Sequence, residues 1–229
     1  MTTLLLAKSP DRSMDGKWFL ADERRRALLV WASSRGRSFT WRREQDPWKV
    51  LLTELLLRRT KATQVQRFLP EILDRFPTPY AVSSASVTQV RSVLEPLGLQ
   101  WRADTVRGAA IAICRLHGGR VPTSDAELTE LPGVGPYVSA SVRAACFGDE
   151  VILTDTNTVR VACRVAGIPL RGDIRRRKDV QSALRTLLGG PRPAIDWWHI
   201  LDLAAGVCRP RSPKCGGCPF ESNCEFPGS

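Results

Sequence analysis

The sequence predicts an all-α protein of about ten short helices. Apolar residues recur at three- and four-residue spacing along most of the chain, which is the period of one helix face. Alternation of apolar and polar residues, which would indicate strands, is rare. Turn residues such as Pro77 and the stretch Pro96-Leu97-Gly98 separate the helical segments. No repeat of solenoid length is present.

The composition is that of a folded and basic protein. The 229 residues are 43% hydrophobic, which is enough for a core and too much for a disordered chain. The formal net charge is +11 at pH 7, and a surplus of this size favours a polyanionic partner, nucleic acid before membrane. A basic protein without such a partner would have the same composition, so charge alone does not identify the partner.

The N-terminal residues lack the features of a secretory signal. Leu4-Leu5-Leu6-Ala7 is too short for the apolar segment of a signal peptide and has no basic segment before it. No apolar run approaches the roughly 20 residues of a membrane span. We therefore expect a cytoplasmic protein, associated with the nucleoid if it is bacterial or archaeal. Its seven cysteines should be buried thiols or metal ligands rather than disulfides.

The helical segments can be followed in order along the chain. Residues 1–16 are polar and aperiodic, and we expect a loose tail there. Apolar periodicity then predicts helices at 22–31, 50–60, 63–76, 85–95, 101–116, 137–146, 156–166, 179–188 and 193–207. Ser124-Asp125-Ala126-Glu127 is typical of a capped helix start.

A glycine turn lies between two of these helices. The stretch Leu131-Pro132-Gly133-Val134-Gly135 predicts a helical hairpin, because glycine permits positive φ and a close backbone approach. The N–H groups at the start of the second helix have no intrahelical acceptor and can bind an anion. In so basic a chain, a DNA phosphate is the natural anion. An ordinary turn between helices is the alternative.

Two carboxylates are candidates for catalysis. Asp155 follows an apolar stretch and precedes a helix, so it can act as an N-cap. It can also stabilise positive charge on a sugar that loses its base. Glu54 lies among leucines, where burial would favour the protonated form that a general acid requires. Pairing with Arg58 at i+4 would instead make Glu54 a structural residue.

Four cysteines near the C-terminus have the spacing of metal ligands. Cys208, Cys215, Cys218 and Cys224 lie in a loop that is rich in proline and glycine. Four thiolates suit tetrahedral zinc or an iron–sulfur cluster, and the spacing alone does not separate the two. The other cysteines lie in apolar helical patterns and are expected to be buried thiols: Cys114, Cys146 and Cys163.

Residues 38–226 resemble the helix-hairpin-helix DNA glycosylases of the endonuclease III and MutY superfamily. The resemblance rests on the hairpin 131–135, the Asp155 loop, Glu54 within 51–60 and the four-cysteine pattern. It implies an all-α, two-lobed fold in which the four cysteines hold a [4Fe–4S] cluster. A discontinuous lobe, 17–48 with 164–229, would contain the cluster, and a central lobe, 49–163, would contain the hairpin.

The resemblance also implies which residues act on DNA. Asp155 and Glu54 would be catalytic, with Tyr137 and Asn157 arranging the pocket. The partner of a monomeric enzyme would be double-stranded DNA with a mismatched or damaged base. Contacts to that DNA would come from residues of the hairpin and of two further loops: Arg58, Arg59, Gln100, Leu131, Gly133, Val134 and Gly135.

Tyr137 narrows the expected reaction. The bifunctional endonuclease III type has at this position a Lys that forms a Schiff base with the sugar. Tyr cannot form that intermediate, so we expect a monofunctional glycosylase that uses water. Tyr is found here both in MutY-like adenine glycosylases and in the mismatch thymine glycosylases of the Mig type.

Two stretches favour the Mig type. MutY proteins usually have Gln-Gln-Thr where this chain has Arg58-Arg59-Thr60, which is similar to the mismatch thymine enzymes. Residues 96–100 likewise differ from the Gly-Leu-Gly-Tyr-Tyr of MutY. Because the chain ends shortly after Cys224, we also expect no counterpart of the C-terminal domain with which MutY inspects oxidised guanine.

We therefore expect excision of thymine or uracil opposite guanine, with an abasic site as the product. Glu54 and Asn157 also match positions that are important for adenine excision. A MutY-like adenine glycosylase without its second domain is therefore the alternative. A DNA-binding protein that keeps the hairpin and the cluster but has lost the chemistry is a third interpretation.

Overall fold

The computed structural model describes residues 12–98, 101–172, 174 and 176–226. These residues form helices and no strand, as the sequence predicts. The helices α1 to α11 span, in order, Arg12–Arg35, Pro47–Leu57, Ala62–Arg75, Pro79–Ser84, Val87–Leu94, Trp101–His117, Asp125–Glu130, Pro136–Cys146, Thr156–Val165, Lys178–Leu187 and Ala194–Gly206. Within the described ranges, no helix has the length and apolarity needed to cross a membrane.

The first helix is longer than its apolar pattern predicts. It begins at Arg12, so the expected loose tail is wrong for residues 12–16, while residues 1–11 lie outside the described part of the chain. No proline interrupts the sequence between Arg12 and Arg35, so the helix can extend on both sides of its apolar segment. Leu28 and Ala32, one helical turn apart, are buried.

The end of α2 and the presence of α4 also differ from the sequence prediction. Helix α2 ends at Leu57, and the predicted continuation to Thr60 is a turn in which Arg59 has a φ of 56°. The sequence pattern also fails to predict α4, because its six residues are too few to show a period. This helix starts from a local signal instead, since the Thr78 side chain accepts a hydrogen bond from the Ala81 N–H.

The chain folds into two compact units. The terminal unit comprises residues up to Gly36, Asp155–Pro191 and residues from Trp198 onward, and the central unit comprises Arg37–Thr154 and Arg192–Trp197. The first two changes of unit come earlier in the chain than the predicted ones after residues 48 and 163, and the return to the central unit at Arg192–Trp197 is not predicted. Phe39, Trp41 and Trp48 cause the first difference, because their side chains belong to the core of the central unit.

The core of the central unit is built around α2. Its consecutive residues from Val50 to Leu56 are all buried, as expected for a helix that is covered on every side. Helix α2 packs against α3, α6 and α8, and α6 packs in turn against α4 and α5. The packing of α2 on α8 matters most for the site, since α2 carries Glu54 and α8 follows the glycine turn.

In the terminal unit, α9 is the most buried helix. Every residue from Thr158 to Val165 is buried, including Arg160 and Arg164. Helix α10 packs against both α9 and α1. Burying two arginines in one helix requires partners for their guanidinium groups. Those partners are backbone carbonyls of the cysteine loop and of α11, described below.

Candidate active site

The glycine turn connects α7 to α8 in the central unit and forms the predicted hairpin. Leu131 and Val134 point into the core, and the Val134 N–H donates to the Leu131 carbonyl at 3.0 Å. Gly133 has a φ of 80°, a conformation that favours glycine. A Cβ at Gly133 would overlap the Thr105 methyl group. The first glycine of the turn is therefore required by both backbone conformation and packing.

The second glycine of the turn, Gly135, is not required by backbone conformation or by packing. Gly135 is extended, with φ −105° and ψ −179°, and a Cβ there would meet no atom within 4 Å. Gly135 is the N-cap residue of α8 and offers no side-chain cap to the first amides of that helix. Open space beside an uncapped helix N-terminus is the arrangement that binds an anion through backbone N–H groups.

Arg58 joins the end of α2 to this hairpin. Its Nη1 donates to the Gly133 carbonyl at 3.0 Å, and its Cζ lies 5.5 Å from the centre of the half-exposed Trp101 ring. Arg102, which is 1% exposed, donates from Nη2 to the Arg58 carbonyl at 2.8 Å and to the Thr60 hydroxyl at 2.7 Å. The turn that presents Arg59 is therefore held between α6 and the hairpin.

Glu54 is buried in α2, as its leucine neighbours predict, and is 5% exposed. One of its carboxylate oxygens accepts a hydrogen bond of 2.6 Å from the hydroxyl of Ser141 in α8. The alternative partner considered from the sequence, Arg58, directs its guanidinium to Gly133 and Trp101. Tyr137 is half-buried one helical turn before Ser141, and so α8 presents both side chains on one face.

Asp155 lies in the terminal unit and caps α9. Its Oδ1 accepts hydrogen bonds from the backbone N–H groups of Asn157 at 2.8 Å and Thr158 at 2.7 Å. Its Oδ2 accepts from the side-chain amide of Asn157 at 2.8 Å. All three groups donate to the carboxylate oxygens, and so these hydrogen bonds suit a carboxylate without a proton of its own. The N-cap interpretation is correct, and it holds a half-buried carboxylate in one fixed orientation.

Arg160 extends this arrangement to the cysteine loop. Its guanidinium donates to Asn157 Oδ1 at 3.1 Å, to the Cys208 carbonyl at 3.0 Å and to the Ala204 carbonyl at 3.0 Å. Burial lowers the pKa of Arg160 below its usual value. The amide of Asn157 is thereby fixed from one side by Asp155 and from the other by Arg160.

The four cysteines of the C-terminal loop line one cavity in the terminal unit. Its walls are otherwise mostly apolar, from Val161, Leu203, Val207 and Phe220 among others. Arg164 Nη1 lies 3.4 Å from Cys208 Sγ and also donates to the Arg209 carbonyl at 2.7 Å. Within the described ranges, no three His, Cys, Asp or Glu side chains form a group that could hold a metal ion.

Four cysteine thiols are the donor set that would hold a cationic iron–sulfur centre. Burial, and then the negative charge of the other three cysteines, raises the pKa of the Cys218 thiol to about 11. Thiolates that are buried together repel one another, and a positively charged centre removes that cost. The donor type therefore suits the [4Fe–4S] group expected from the resemblance, with Cys208, Cys215, Cys218 and Cys224 as the residues that would hold it, although their side chains as placed do not form a metal-binding group.

Some site residues escape the sequence analysis. Ser141, Arg102 and Arg160 have no role there, although Arg102 and Arg160 carry one usable signal, a charged residue on the buried face of an apolar helix. Ser141 carries no such signal, because serine is common in any helix of small residues. Gln100, an expected DNA contact, lies outside the described residues.

A comparison with protein families identifies the chain. The model of HhH-GPD superfamily base excision DNA repair proteins matches residues 52–187, which is more than half of the chain. The chain belongs to the HhH-GPD superfamily. The match covers the hairpin, the Asp155 loop and Glu54.

HhH-GPD relatives of this chain are named for different substrate bases. A thymine-DNA glycosylase of Aeropyrum pernix is 36% identical over 88% of this chain and 93% of that protein. An adenine DNA glycosylase of Mycobacterium tuberculosis is 32% identical over 93% of this chain, which spans 69% of that protein. The identities are similar, but the thymine enzyme is matched over more of its own length.

Solved structures agree with this membership. The structure of a thermostable thymine-DNA glycosylase superposes with a TM-score of 0.82 at 28% identity, over 93% of this chain and 98% of the other. Both the sequence and the fold therefore place the chain among HhH-GPD base-excision DNA glycosylases.

Proposed function

We propose that this chain is a monofunctional DNA glycosylase that removes thymine or uracil mispaired with guanine and leaves an abasic site. Tyr137 carries the first part of the proposal. It is the second residue of α8, directly after the hairpin, and no residue of that helix is a lysine. Without an amine at the hairpin, the sugar has no Schiff-base partner there, and water takes the part of the nucleophile.

DNA binding is assigned to the hairpin and the neighbouring arginines. The uncapped N-terminus of α8 would receive a backbone phosphate beside Gly135, where a side chain is absent and space is open. A mismatched base leaves the stack at a lower cost than a paired one. Arg59, exposed on its tight turn, would fill the gap or contact the orphan guanine.

The two carboxylates divide the chemistry between them. As the C1′–N bond breaks, its electron pair leaves with the base, and the proton of the Glu54 carboxyl neutralises that base. The sugar develops positive charge, which the fixed carboxylate of Asp155 stabilises. Water then adds to C1′ and returns a proton to Glu54. The products are a free base and an abasic site in an unbroken strand.

The preference for thymine or uracil rests on Arg58-Arg59-Thr60 and on the thymine-DNA glycosylase relative. A specific observation also supports a second candidate, an adenine glycosylase. Glu54 and Asn157 match positions important for adenine excision, and a relative of 32% identity is an adenine DNA glycosylase. Both candidates use the same assignment of Glu54 and Asp155.

One assay separates these possibilities. Duplexes with G·T, G·U and oxidised G·A pairs are incubated with excess protein, and products are compared with and without alkali. We expect release of thymine and uracil, and strand cleavage only after alkali. Strand scission without alkali would disprove the monofunctional assignment. Exclusive release of adenine would establish the second candidate instead, and binding without any release would make the chain a non-catalytic DNA-binding protein.

We further infer that Cys208, Cys215, Cys218 and Cys224 hold a [4Fe–4S] cluster. When bound, the cluster supplies a rigid centre to which the loop is tied and which can exchange electrons. The loop presents Arg211 and Lys214 to solvent, where they can contact phosphate. Protein purified without oxygen should contain iron and sulfide and absorb visible light, and C218S should lose both. Stoichiometric zinc in place of iron would refute the cluster.

A further inference from the structure

Two buried side chains, from helices far apart in the sequence, meet in the central unit. Ser141 is fully buried in α8, and its hydroxyl lies 2.6 Å from the Glu54 carboxylate in α2. This distance is at the short end for a hydrogen bond between oxygen atoms. A serine within a helix usually bonds to the carbonyl one turn earlier. Here its hydroxyl donates to another helix.

The chemistry of the two groups suits a proton donor that changes charge during a reaction. A carboxyl group that gives up its proton changes from hydrogen-bond donor to acceptor. A hydroxyl group can match both states by rotation, because it has one proton to donate and lone pairs to accept with. A buried carboxylate without such a partner would carry a large desolvation cost.

We propose that Ser141 is a positioning residue for Glu54, which fixes the carboxyl group in α2 and supports it in both protonation states. This inference rests on the proposed function, in which Glu54 is the general acid. Ser141 acts through Glu54 and is assigned no contact with the DNA. Before proton transfer it accepts from the carboxyl group, and after transfer it donates to the carboxylate.

Helix α8 thereby couples DNA binding to the acid. Its N-terminus carries the hairpin, its second residue is Tyr137, and Ser141 follows one turn later on the same face. A hydrogen bond from this helix sets the carboxyl group of Glu54 relative to the point where the hairpin would hold the DNA backbone. This arrangement gives Glu54 an orientation that its flexible side chain lacks by itself.

The same helix offers a matched control. Ser139 is also fully buried, and its hydroxyl donates to Asp125 Oδ1 at 2.6 Å. Asp125 is half-exposed, pairs with Arg143 at 3.0 Å and has no part in the proposed chemistry. S139A and S141A therefore each remove one buried hydroxyl group and one hydrogen bond of 2.6 Å. Only S141A removes a bond to Glu54.

The experiment is single-turnover excision by the full chain on a G·T duplex, measured as a function of pH. Loss of a hydrogen bond to a buried charge predicts a rate roughly 10- to 100-fold lower for S141A, with DNA affinity unchanged. The hydroxyl bonds to both states but more strongly to the ionised carboxylate, so its removal should move the alkaline fall in activity to higher pH. S141C, of similar volume with a weaker donor, should show an intermediate loss.

Each outcome decides the inference. A lower rate and a shifted pH profile for S141A, with S139A equal to wild type, support the inference. Equal effects of S141A and S139A, or a loss for S141A without a shift in pH profile, overturn it and leave Ser141 a packing residue. If S141A does not fold, the rate and profile of S141C decide in the same way. No base release by the wild-type chain would overturn the proposed function and this inference with it.

Discussion

The buried guanidinium group of Arg102 donates at 2.7 Å to the hydroxyl of Thr60, and from the same nitrogen at 2.8 Å to the carbonyl of Arg58. Arg59 lies between these two acceptors and has a φ of 56°, which is uncommon for a residue with a side chain. Such a conformation costs on the order of 1–3 kcal/mol and persists only where its surroundings hold it. The two hydrogen bonds from Arg102 stabilise this conformation of Arg59.

Replacing Arg102 by Met should therefore impair activity while the protein still folds. The substitution loses two hydrogen bonds, which destabilises the folded protein. It also removes the buried Nε and Nη1 atoms, which have no acceptor within the described structure, and this offsets part of the loss. We expect a change in unfolding free energy of less than about 1.5 kcal/mol. Without Arg102 the Arg59 turn would relax, and base flipping should fall about tenfold, the effect of losing one charged hydrogen bond. Flipping can be followed with a fluorescent base beside the mismatch.

Arg107 supplies the control for this substitution. It lies in the same helix, and its Nε donates to the Ala85 carbonyl at 2.8 Å, away from the turn. R107M should leave base flipping unchanged. Equal flipping by R102M and wild type would show that the turn keeps its conformation without Arg102.

The two hairpin glycines should respond differently to alanine. Gly133 has a positive φ and no room for a Cβ, so G133A should destabilise the protein by about 2 kcal/mol or more. Gly135 is extended and faces open space, so G135A should fold normally. Its methyl group would occupy the place proposed for a phosphate, and DNA affinity should fall. Urea unfolding and a DNA-binding titration measure the two effects.

A second substitution separates the two parts of the Gly133 effect. The group that a Cβ would overlap is the methyl of Thr105, which T105S removes. G133A combined with T105S should recover the steric part of the loss and keep the part caused by positive φ. Full DNA affinity of G135A would contradict the assignment of a phosphate to the α8 N-terminus.

Asp155 has two roles that can be measured separately. Asparagine caps helices about as well as aspartate, so D155N should keep the two backbone bonds of the cap and lose only the bond from the Asn157 amide, whereas D155A should lose the cap as well, at a further cost of about 1 kcal/mol. Both variants lack the charge that stabilises the sugar cation, and both should release base at least about 100-fold more slowly. DNA binding should persist in D155N. A D155N protein with wild-type excision would remove Asp155 from the chemistry.

The sequence predicts the local features of this site well, because their causes are local. The hairpin follows from Leu131 to Gly135, and the cap of α9 follows from Asp155 and its next three residues. Contacts between distant segments leave no such pattern. Ser141 and Glu54 are 87 positions apart, and Arg102 and Thr60 are 42 apart. Only packing of α2 against α8 and α6 brings these pairs together.

Backbone conformation is a second property of the site that the sequence predicts poorly, and Gly135 is an example. Its identity as glycine predicts positive φ as readily as it predicts close approach, and the structure shows an extended residue in open space. Arg59 is the converse case, since nothing in its identity indicates the positive φ that it adopts. Backbone conformation at these two positions depends on neighbours in space rather than on residue type.

Cys146 should make stability fall at alkaline pH. Burial, and then the nearby charges of Asp46 and Glu44, raises the pKa of its thiol from 9.0 to about 12. Above pH 9 the unfolded chain therefore releases a proton that the folded chain retains, and the free energy of unfolding decreases as pH rises toward 12. Urea unfolding of C146A from pH 8 to 10.5 should show a shallower decrease in the free energy of unfolding than that of wild type.

Cys114 supplies the control. It is a half-buried thiol in α6, and C114A gives the effect of losing a thiol elsewhere in the central unit. An identical pH dependence for C146A and wild type would mean that Cys146 ionises as readily in the folded protein as in the unfolded chain.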